Sequence, residues 1–379
     1  MGDTIFVSVA SYRDDECPTT LQYLFGNAER PENIFVGICQ QNDMSEDSKD
    51  IECILPEEKY KNNIKMMRLK HYEAKGPTWA RYLCSTLYDN QTYFFQIDSH
   101  TKLVPGWDKK CINMMKKLKE SGMSQKPVLS HYPAAWEPES QVGIPKVNGV
   151  TRICKSFFND SGMISFLGAE TIETDEMHPS PYVAGGFLFC EGSLLKDVPF
   201  DPTLDYLFVG EEILHSIRIW TAGYDIFTPN ENIAFHEYTR ENKPKIWTDK
   251  NYTDAEAFRK VKELIGLSKN NPNLHGYKYG LGNVRSLEDY YHFAGIDLEK
   301  KKVNKNFCRQ GLIDDAVDIE QKPVTESEVK DPDSVRAWTS QEHFTNSNAE
   351  KSDNVTGSGS IIIIIVIIVI IAYLIYTLS

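Results

Sequence analysis

The stretch "TYFFQIDSHTKLVPGWD", residues 92–108, carries an apolar run, Tyr93-Phe94-Phe95-Gln96-Ile97, that stops at Asp98-Ser99-His100 before a Pro-Gly turn. A short, nearly continuous apolar run bounded by turn signals predicts a strand buried on both faces. Side chains two apart on a strand point the same way, so Asp98 and His100 face one side together. At the C-terminal edge of an α/β sheet, that side is where ligands bind. A lone Asp behind a strand also caps turns, and a lone His is commonly a satisfied core group, so the pair gains its weight from its company.

Outward from this strand the chain alternates strand-like and helix-like segments, which predicts an α/β architecture. Residues 4–10, 33–39 and 64–70 read as strands, and residues 16–29 and 76–89 as helices. The segment 107–122 reads as a helix with Asp108 as N-cap and Gly122 at its end. From 132 to about 180 the pattern loosens, punctuated by Pro and Gly, and suggests an extended binding edge. Order returns with a strand over 182–190. A helix in 210–225 follows, with Ile213, Leu214, Ile217 and Trp220 on one stripe. The last strand reads over 232–238, and no internal repeat is visible.

The net charge of −13 across 379 residues, with no basic stripe, excludes a typical nucleic-acid binder. Eight cysteines lie far apart without a C-x-x-C pair. Several sit in apolar runs such as "FVGICQ", where a free thiol packs as a small hydrophobe. The expectation is therefore free thiols in a reducing compartment.

The N-terminus lacks the basic and apolar regions of a secretory signal. From about residue 301 the composition turns polar, so residues 301–360 read as a flexible stalk. Residues 361–376, "IIIIIVIIVIIAYLIY", carry no charge. In helix that run spans about 24 Å, slightly short for a hydrocarbon core of about 30 Å. It suits a thinner bilayer such as that of the endoplasmic reticulum. The expected organisation is a head over 1–300, the stalk, and a membrane tail anchor over 361–379.

A second apolar strand also delivers a histidine at its end, His236 in "NIAFHEYTR", and between the two stands "LFVGEEILHSIRIW" with Glu211 and Glu212 opening a helix. Asp, His and a diphosphate make a suitable shell for a divalent ion of intermediate hardness such as Mn²⁺. The blocks "FVSVASYRDDECPTTL", "PENIFVGICQQ", "EAKGPTWARYL", "QIDSHTKLVPGWD", "VPFDPTLDYLFVGEEI", "RIWTAGYDIFTP" and "HEYTR" run in order through the head. Together they resemble the polypeptide GlcNAc-transferases, a family that includes the cytoplasmic enzyme modifying hydroxyproline and related protist enzymes.

The resemblance implies a GT-A fold with a Rossmann-like central sheet, UDP-GlcNAc as donor, Mn²⁺ or another divalent cation, and retention at the anomeric carbon. By likeness to the mucin-type polypeptide GalNAc-transferases, Asp98, His100 and His236 are the metal ligands. The same likeness places Ser11, Tyr12 and Arg13 at the uridine, Arg81 on the nucleotide, and Glu211 and its neighbour Glu212 near donor sugar and acceptor. Arg240 falls within reach of the diphosphate, and Gly185 and Gly186 allow close backbone approach to a ligand. Thr101 departs from the larger apolar residue expected after the second ligand.

The implied activity is transfer of GlcNAc to a protein hydroxyl of hydroxyproline, Thr or Ser. The alternatives are a degenerate, tail-anchored binding module and a GT-A enzyme using another UDP-sugar. Relatives in the secretory pathway carry N-terminal membrane segments, so a C-terminal anchor implies a head facing the cytosol.

Overall fold

The run at the centre of the sequence reading is a strand buried along almost its whole length, and it lies in the middle of an eight-stranded sheet. The computed structural model describes residues 2–55, 58–136, 143–167, 170–240, 242–268 and 276–303. In chain order the strands of its first half are β1 (Ile5–Tyr12), β2 (Ile34–Asn42), β3 (Ile64–Lys70), β4 (Tyr93–Asp98), β5 (Thr101–Leu103), β6 (Pro127–Ser130) and β7 (Ala134–Ala135). The second half adds β8 (Val150–Arg152), β9 (Lys155–Phe158), β10 (Ile164–Leu167), β11 (Glu170–Ile172), β12 (His178–Pro179), β13 (Phe187–Glu191), β14 (Asp225–Thr228), β15 (Ala234–His236), β16 (Ile296–Asp297) and β17 (Lys302–Val303). The helices are α1 (Cys17–Gly26), α2 (Pro77–Ser85), α3 (Trp107–Glu120), α4 (Leu194–Asp197), α5 (Glu211–Thr221), α6 (Ile246–Asp249), α7 (Ala255–Leu264) and α8 (Leu287–Ala294).

The sheet order is β12-β14-β6-β13-β4-β1-β2-β3. Strands β3, β2, β1 and β4 are parallel, and β13 inserts antiparallel between β4 and β6. The chain leaves β1 toward β2 on one side, and β4 later joins β1 on the other. That reversal opens a crevice between the C-terminal ends of β1 and β4, the usual ligand position in such sheets. Register pairs Ala10 with Asp98 and Ile97 with Phe187, which brings Gly186 beside Asp98. A small sheet, β5-β15-β7, sits next to this edge and pairs His236 with Thr101.

The core explains why the crevice is rigid. Phe95 stacks on Trp107 and meets Phe187 and Phe189 edge-on, with ring centroids 4.9–5.5 Å apart. Each fully buried aromatic of this kind contributes roughly 1.5–3 kcal/mol. Gln96, the polar residue in β4, donates from Nε2 to the Gly185 carbonyl at 2.7 Å, so its burial is partly compensated.

Several expectations are corrected here. Gly106, not Asp108, is the N-cap of α3. Asp108 is buried in the first turn and accepts from the backbone N–H groups of Glu29 and Arg30, a tertiary use that the local pattern mimics. The loose segment after 132 contains β7 to β12, with the β9–β10 hairpin nested inside the β8–β11 pair. Its strands are too short and too polar to show a sustained alternation. The strand expected over 182–190 begins only at Phe187. Helix α5 is buried nearly all round, His215, Ser216 and Arg218 included, rather than along one stripe. Beyond 238 lie α6, α7, α8 and the β16–β17 hairpin, none of which the sequence reading placed.

The cysteine expectation also changes. Cys17 and Cys53 form a disulfide, and Cys154 is disulfide-bonded as well; Cys39, Cys84, Cys111 and Cys190 are free and buried. The Cys17–Cys53 separation of 36 residues gives no pairing signal in sequence; packing of the segment after β2 against the start of α1 creates it. Support for a reducing compartment from the cysteines is thereby withdrawn. Among the described residues no helix is long and apolar enough to cross a membrane. The expected anchor over 361–379 and nearly all of the stalk lie outside the described residues.

Closing a loop of this length removes about 4 kcal/mol of chain entropy from the unfolded state in the loop-closure account. The Cys17→Ala/Cys53→Ala variant should lose roughly 2–4 kcal/mol in urea unfolding, and non-reducing peptide mapping of the parent should recover the linked peptides. Alkylatable Cys17 in the folded, unreduced protein would contradict the pairing.

Candidate active site

At the C-terminal end of β4, Asp98 lies between two basic side chains. Its Oδ1 accepts from Arg81 Nη2 at 2.9 Å, and its Oδ2 is 3.1 Å from His236 Nε2. Arg81 is delivered by α2, which Pro77 starts behind Gly76 at φ +92°. Its other nitrogen, Nη1, donates to Glu211 Oε1 at the first residue of α5. Burial raises the Asp98 pKa, but the His236 hydrogen bond and the Arg81 charge outweigh it and hold it well below the usual carboxylate range. Asp98 is therefore a charged, acceptor-only group.

His100, in the turn between β4 and β5, meets His236 at the end of β15, with ring centroids 4.5 Å apart. Asp98, His100 and His236 each offer one ligand atom, and these atoms all lie within 4.8 Å of one another. A carboxylate oxygen with two imidazole nitrogens suits a divalent cation of intermediate hardness. Gly186 leaves the space beside them open: a Cβ there would lie 2.9 Å from Asp98 Oδ2 and 3.7 Å from His236 Cδ2. The donor set and the empty side-chain position both fit a metal. Asp98, His100 and His236 would hold it.

The other expected residues surround this trio. Glu212 has both oxygens engaged, Oε1 by the Gly185 N–H at 2.7 Å and Oε2 by the Tyr132 hydroxyl at 2.9 Å. It ties the Gly185–Gly186 turn to α5, while Gln96 ties the same turn to β4. Ser11 is buried at the end of β1, and its carbonyl accepts from Gln41. The Tyr12 hydroxyl donates to Asp249 at 3.0 Å, and Arg13, at φ +47°, bridges Asp50 and Asp249. These two residues bind α6 to the end of β1. Arg240 is buried, with Nη2 3.5 Å from Asp14 Oδ2.

Asp14 was not singled out in sequence, yet its carboxylate reaches both Ser99 and His100. Burial raises its pKa, and the Arg240 charge together with the hydrogen bonds from His100 and Ser99 more than reverses the effect, so the group stays ionised. Tyr132 and Asp249 were also missed. In the run Arg13-Asp14-Asp15-Glu16 nothing local marks which acid turns inward.

The sequence matches the profile of a family described as glycosyltransferase (GlcNAc), over residues 4–59 and 55–300. Among solved structures, the chain is similar to GalNAc-T7 with UDP, GalNAc and Mn²⁺, at 14% identity and a TM-score of 0.49, covering 76% of this chain and 54% of that one. It is also similar to S. aureus TarS 1–349 in complex with UDP-GlcNAc, at 13% identity and a TM-score of 0.44, covering 76% and 73%. The chain thus spans about half the length of GalNAc-T7. The family match rests on sequence and draws nothing from these distant structural likenesses. No curated protein matches the chain.

The Gly186 cradle gives a sharp test. Gly186→Ala would force its methyl against Asp98 Oδ2, and we expect Mn²⁺ affinity of the metal-free protein to fall about tenfold or more, the scale of disturbing a ligand's support. The melting temperature should move by only a few degrees. Unchanged Mn²⁺ affinity by calorimetry would show that Asp98 is not a ligand at this position.

Proposed function

Because the chain belongs to the glycosyltransferase (GlcNAc) family, we propose that it is a metal-dependent, retaining enzyme moving GlcNAc from UDP-GlcNAc to a protein hydroxyl of hydroxyproline, Thr or Ser. The observation that carries this reading is the convergence of Asp98, His100 and His236 at the crevice of a mixed sheet, beside its parallel strands β1 and β4 and next to the Arg81–Glu211 pair. A sheet crevice of this type takes a nucleotide.

A divalent cation bound there neutralises the charge of a diphosphate leaving group. The chain's own residues do the rest. Arg81 keeps Asp98 and Glu211 apart as carboxylates and holds Glu211 at the opening of α5. Arg240, on the segment after β15, supplies positive charge beside the ligand trio. Ser11, Tyr12 and Arg13 line the end of β1, where the uridine would lie. We assign a front-face course, in which the departing diphosphate accepts the acceptor's proton. Glu211 is committed through Oε1 to Arg81, and such pairing weakens a carboxylate as a nucleophile.

The membrane assignment is a proposal of the same kind. The apolar run over 361–376 attaches the head to a bilayer. A cytosolic head would meet cytosolic acceptors, whereas the bonded Cys17 and Cys53 suit an oxidising compartment. Glycan occupancy separates the two: Asn90 and Asn251 are exposed within Asn-x-Thr sequons. Cytosolic exposure predicts both unmodified in the expressed protein. A glycan at either places the head in the lumen.

The enzymatic reading is tested with full-length protein, Mn²⁺ and UDP-GlcNAc, following UDP release and acceptor mass. We expect metal-dependent turnover and a loss on the order of 10²-fold or more for Asp98→Ala, the scale of losing one stabiliser of developing charge. UDP should bind tightly only with the cation present. No metal-dependent UDP binding and no turnover would leave a non-catalytic binding module as the better description.

A further inference from the structure

We propose that Asp14 is a positioning residue of the metal centre, fixing the His100 ring so that Nε2 carries the lone pair. The inference rests on the reading that Asp98, His100 and His236 hold a divalent cation.

Asp14 follows β1 by two residues and is 1% exposed. Its Oδ2 is 2.6 Å from His100 Nδ1 and accepts from Ser99 Oγ at 2.5 Å. Its Oδ1 accepts the backbone N–H of Glu16 at 3.1 Å. A neutral imidazole donates from one nitrogen and accepts at the other, and an ionised carboxylate can only accept. Facing Asp14, Nδ1 must therefore be the donor, which leaves Nε2 bare. A metal-binding histidine commonly donates its other ring N–H to such a partner, and a carboxylate there fixes the tautomer and raises the ring's basicity.

The same carboxylate also restrains the backbone between two ligands, because Ser99 stands between Asp98 and His100. A third link runs to Arg240, whose Nη2 lies 3.5 Å away. Lys243 secures the same turn, pairing with Asp15 at 3.0 Å, Glu16 at 3.7 Å and Glu237 at 3.0 Å. The acidic turn thus holds the segment bearing His236 and Arg240 against the segment bearing Asp98 and His100. A purely structural acid could satisfy Ser99 and Arg240 without reaching the ligand ring.

The test measures Mn²⁺ binding to metal-free, full-length protein by the electron paramagnetic resonance signal of free Mn²⁺. Asp14→Asn keeps the shape and removes the charge. We expect Mn²⁺ affinity about 10–100-fold weaker, with the metal-free melting temperature within a few degrees of the parent. An affinity within twofold of the parent, in a variant that folds, would overturn the proposal. A parent that binds no Mn²⁺ would instead sink the metal reading, and this inference with it. Ring ¹⁵N shifts of histidine-labelled parent protein, with His100 assigned by its loss in His100→Gln, provide a measurement independent of the variant's folding. Protonated Nδ1 and bare Nε2 are expected; the opposite tautomer would refute the assignment.

Discussion

The Asp98 carboxylate, largely taken out of water at the end of β4, is the constraint on which the rest of the site depends. A charge taken out of water is costly unless it is paired and hydrogen-bonded. Asp98 meets that cost with Arg81 on one oxygen and His236 on the other. Arg81 must therefore be delivered at one height along the crevice, which fixes where α2 begins. His236 must arrive from β15, which fixes the small sheet beside β5. Glycine at 186 leaves the carboxylate its position, since a Cβ there would lie 2.9 Å from Asp98 Oδ2. Arg81 then passes the constraint on to Glu211, so the first residue of α5 is tied to the end of β4.

This chain of pairings joins parts of the sequence that are far apart. The turn after β1, the ends of α2 and β4, the Gly185–Gly186 turn, the start of α5 and the segment after β15 all meet within one crevice. Two fastenings reinforce it: Lys243 on Asp15, Glu16 and Glu237, and Arg13 on Asp50 and Asp249. Asp50 belongs to the same segment as Cys53, which the disulfide ties to α1. The rim of the crevice is therefore cross-linked by charge and by covalent bond. Such long-range closure costs chain entropy before any contact is gained, and the aromatic wedge around Phe95 and Trp107 offsets it.

What was legible in the sequence was whatever depends on local pattern. An apolar run ending in Asp98-Ser99-His100 reads as a buried strand with two residues on one face. His236 was visible for the same reason, and Glu211 from the Gly that starts a helix before it. The rest depends on partners that only the tertiary fold supplies. Asp108 looks like a cap because capping and bonding to a distant backbone use the same oxygen atoms. Asp14 sits in a run of acids whose neighbours are exposed or half-buried, and no periodicity separates it from them. Glu212 reads like Glu211, yet the turn of one residue points it at Gly185 and Tyr132. Cys17 and Cys53 carry no mark of their pairing, because strand and helix packing alone sets their distance.

Charge balance connects this architecture to its chemistry. Asp14 and Glu211, both buried, and the part-buried Asp98 bring three carboxylates to the crevice, and Arg81 and Arg240 answer with two buried guanidiniums. Three carboxylates against two guanidiniums leave these five groups with an excess of negative charge, which suits a cation at the crevice. The same two guanidiniums are then the nearby permanent positive charges when a diphosphate enters, since arginine stays protonated. Arg81 spans Asp98 and Glu211, and Arg240 Nη2 lies 3.5 Å from Asp14 Oδ2. Four of these five charged side chains are fixed by one need, to take Asp98 and Asp14 largely out of water without leaving either unpaired.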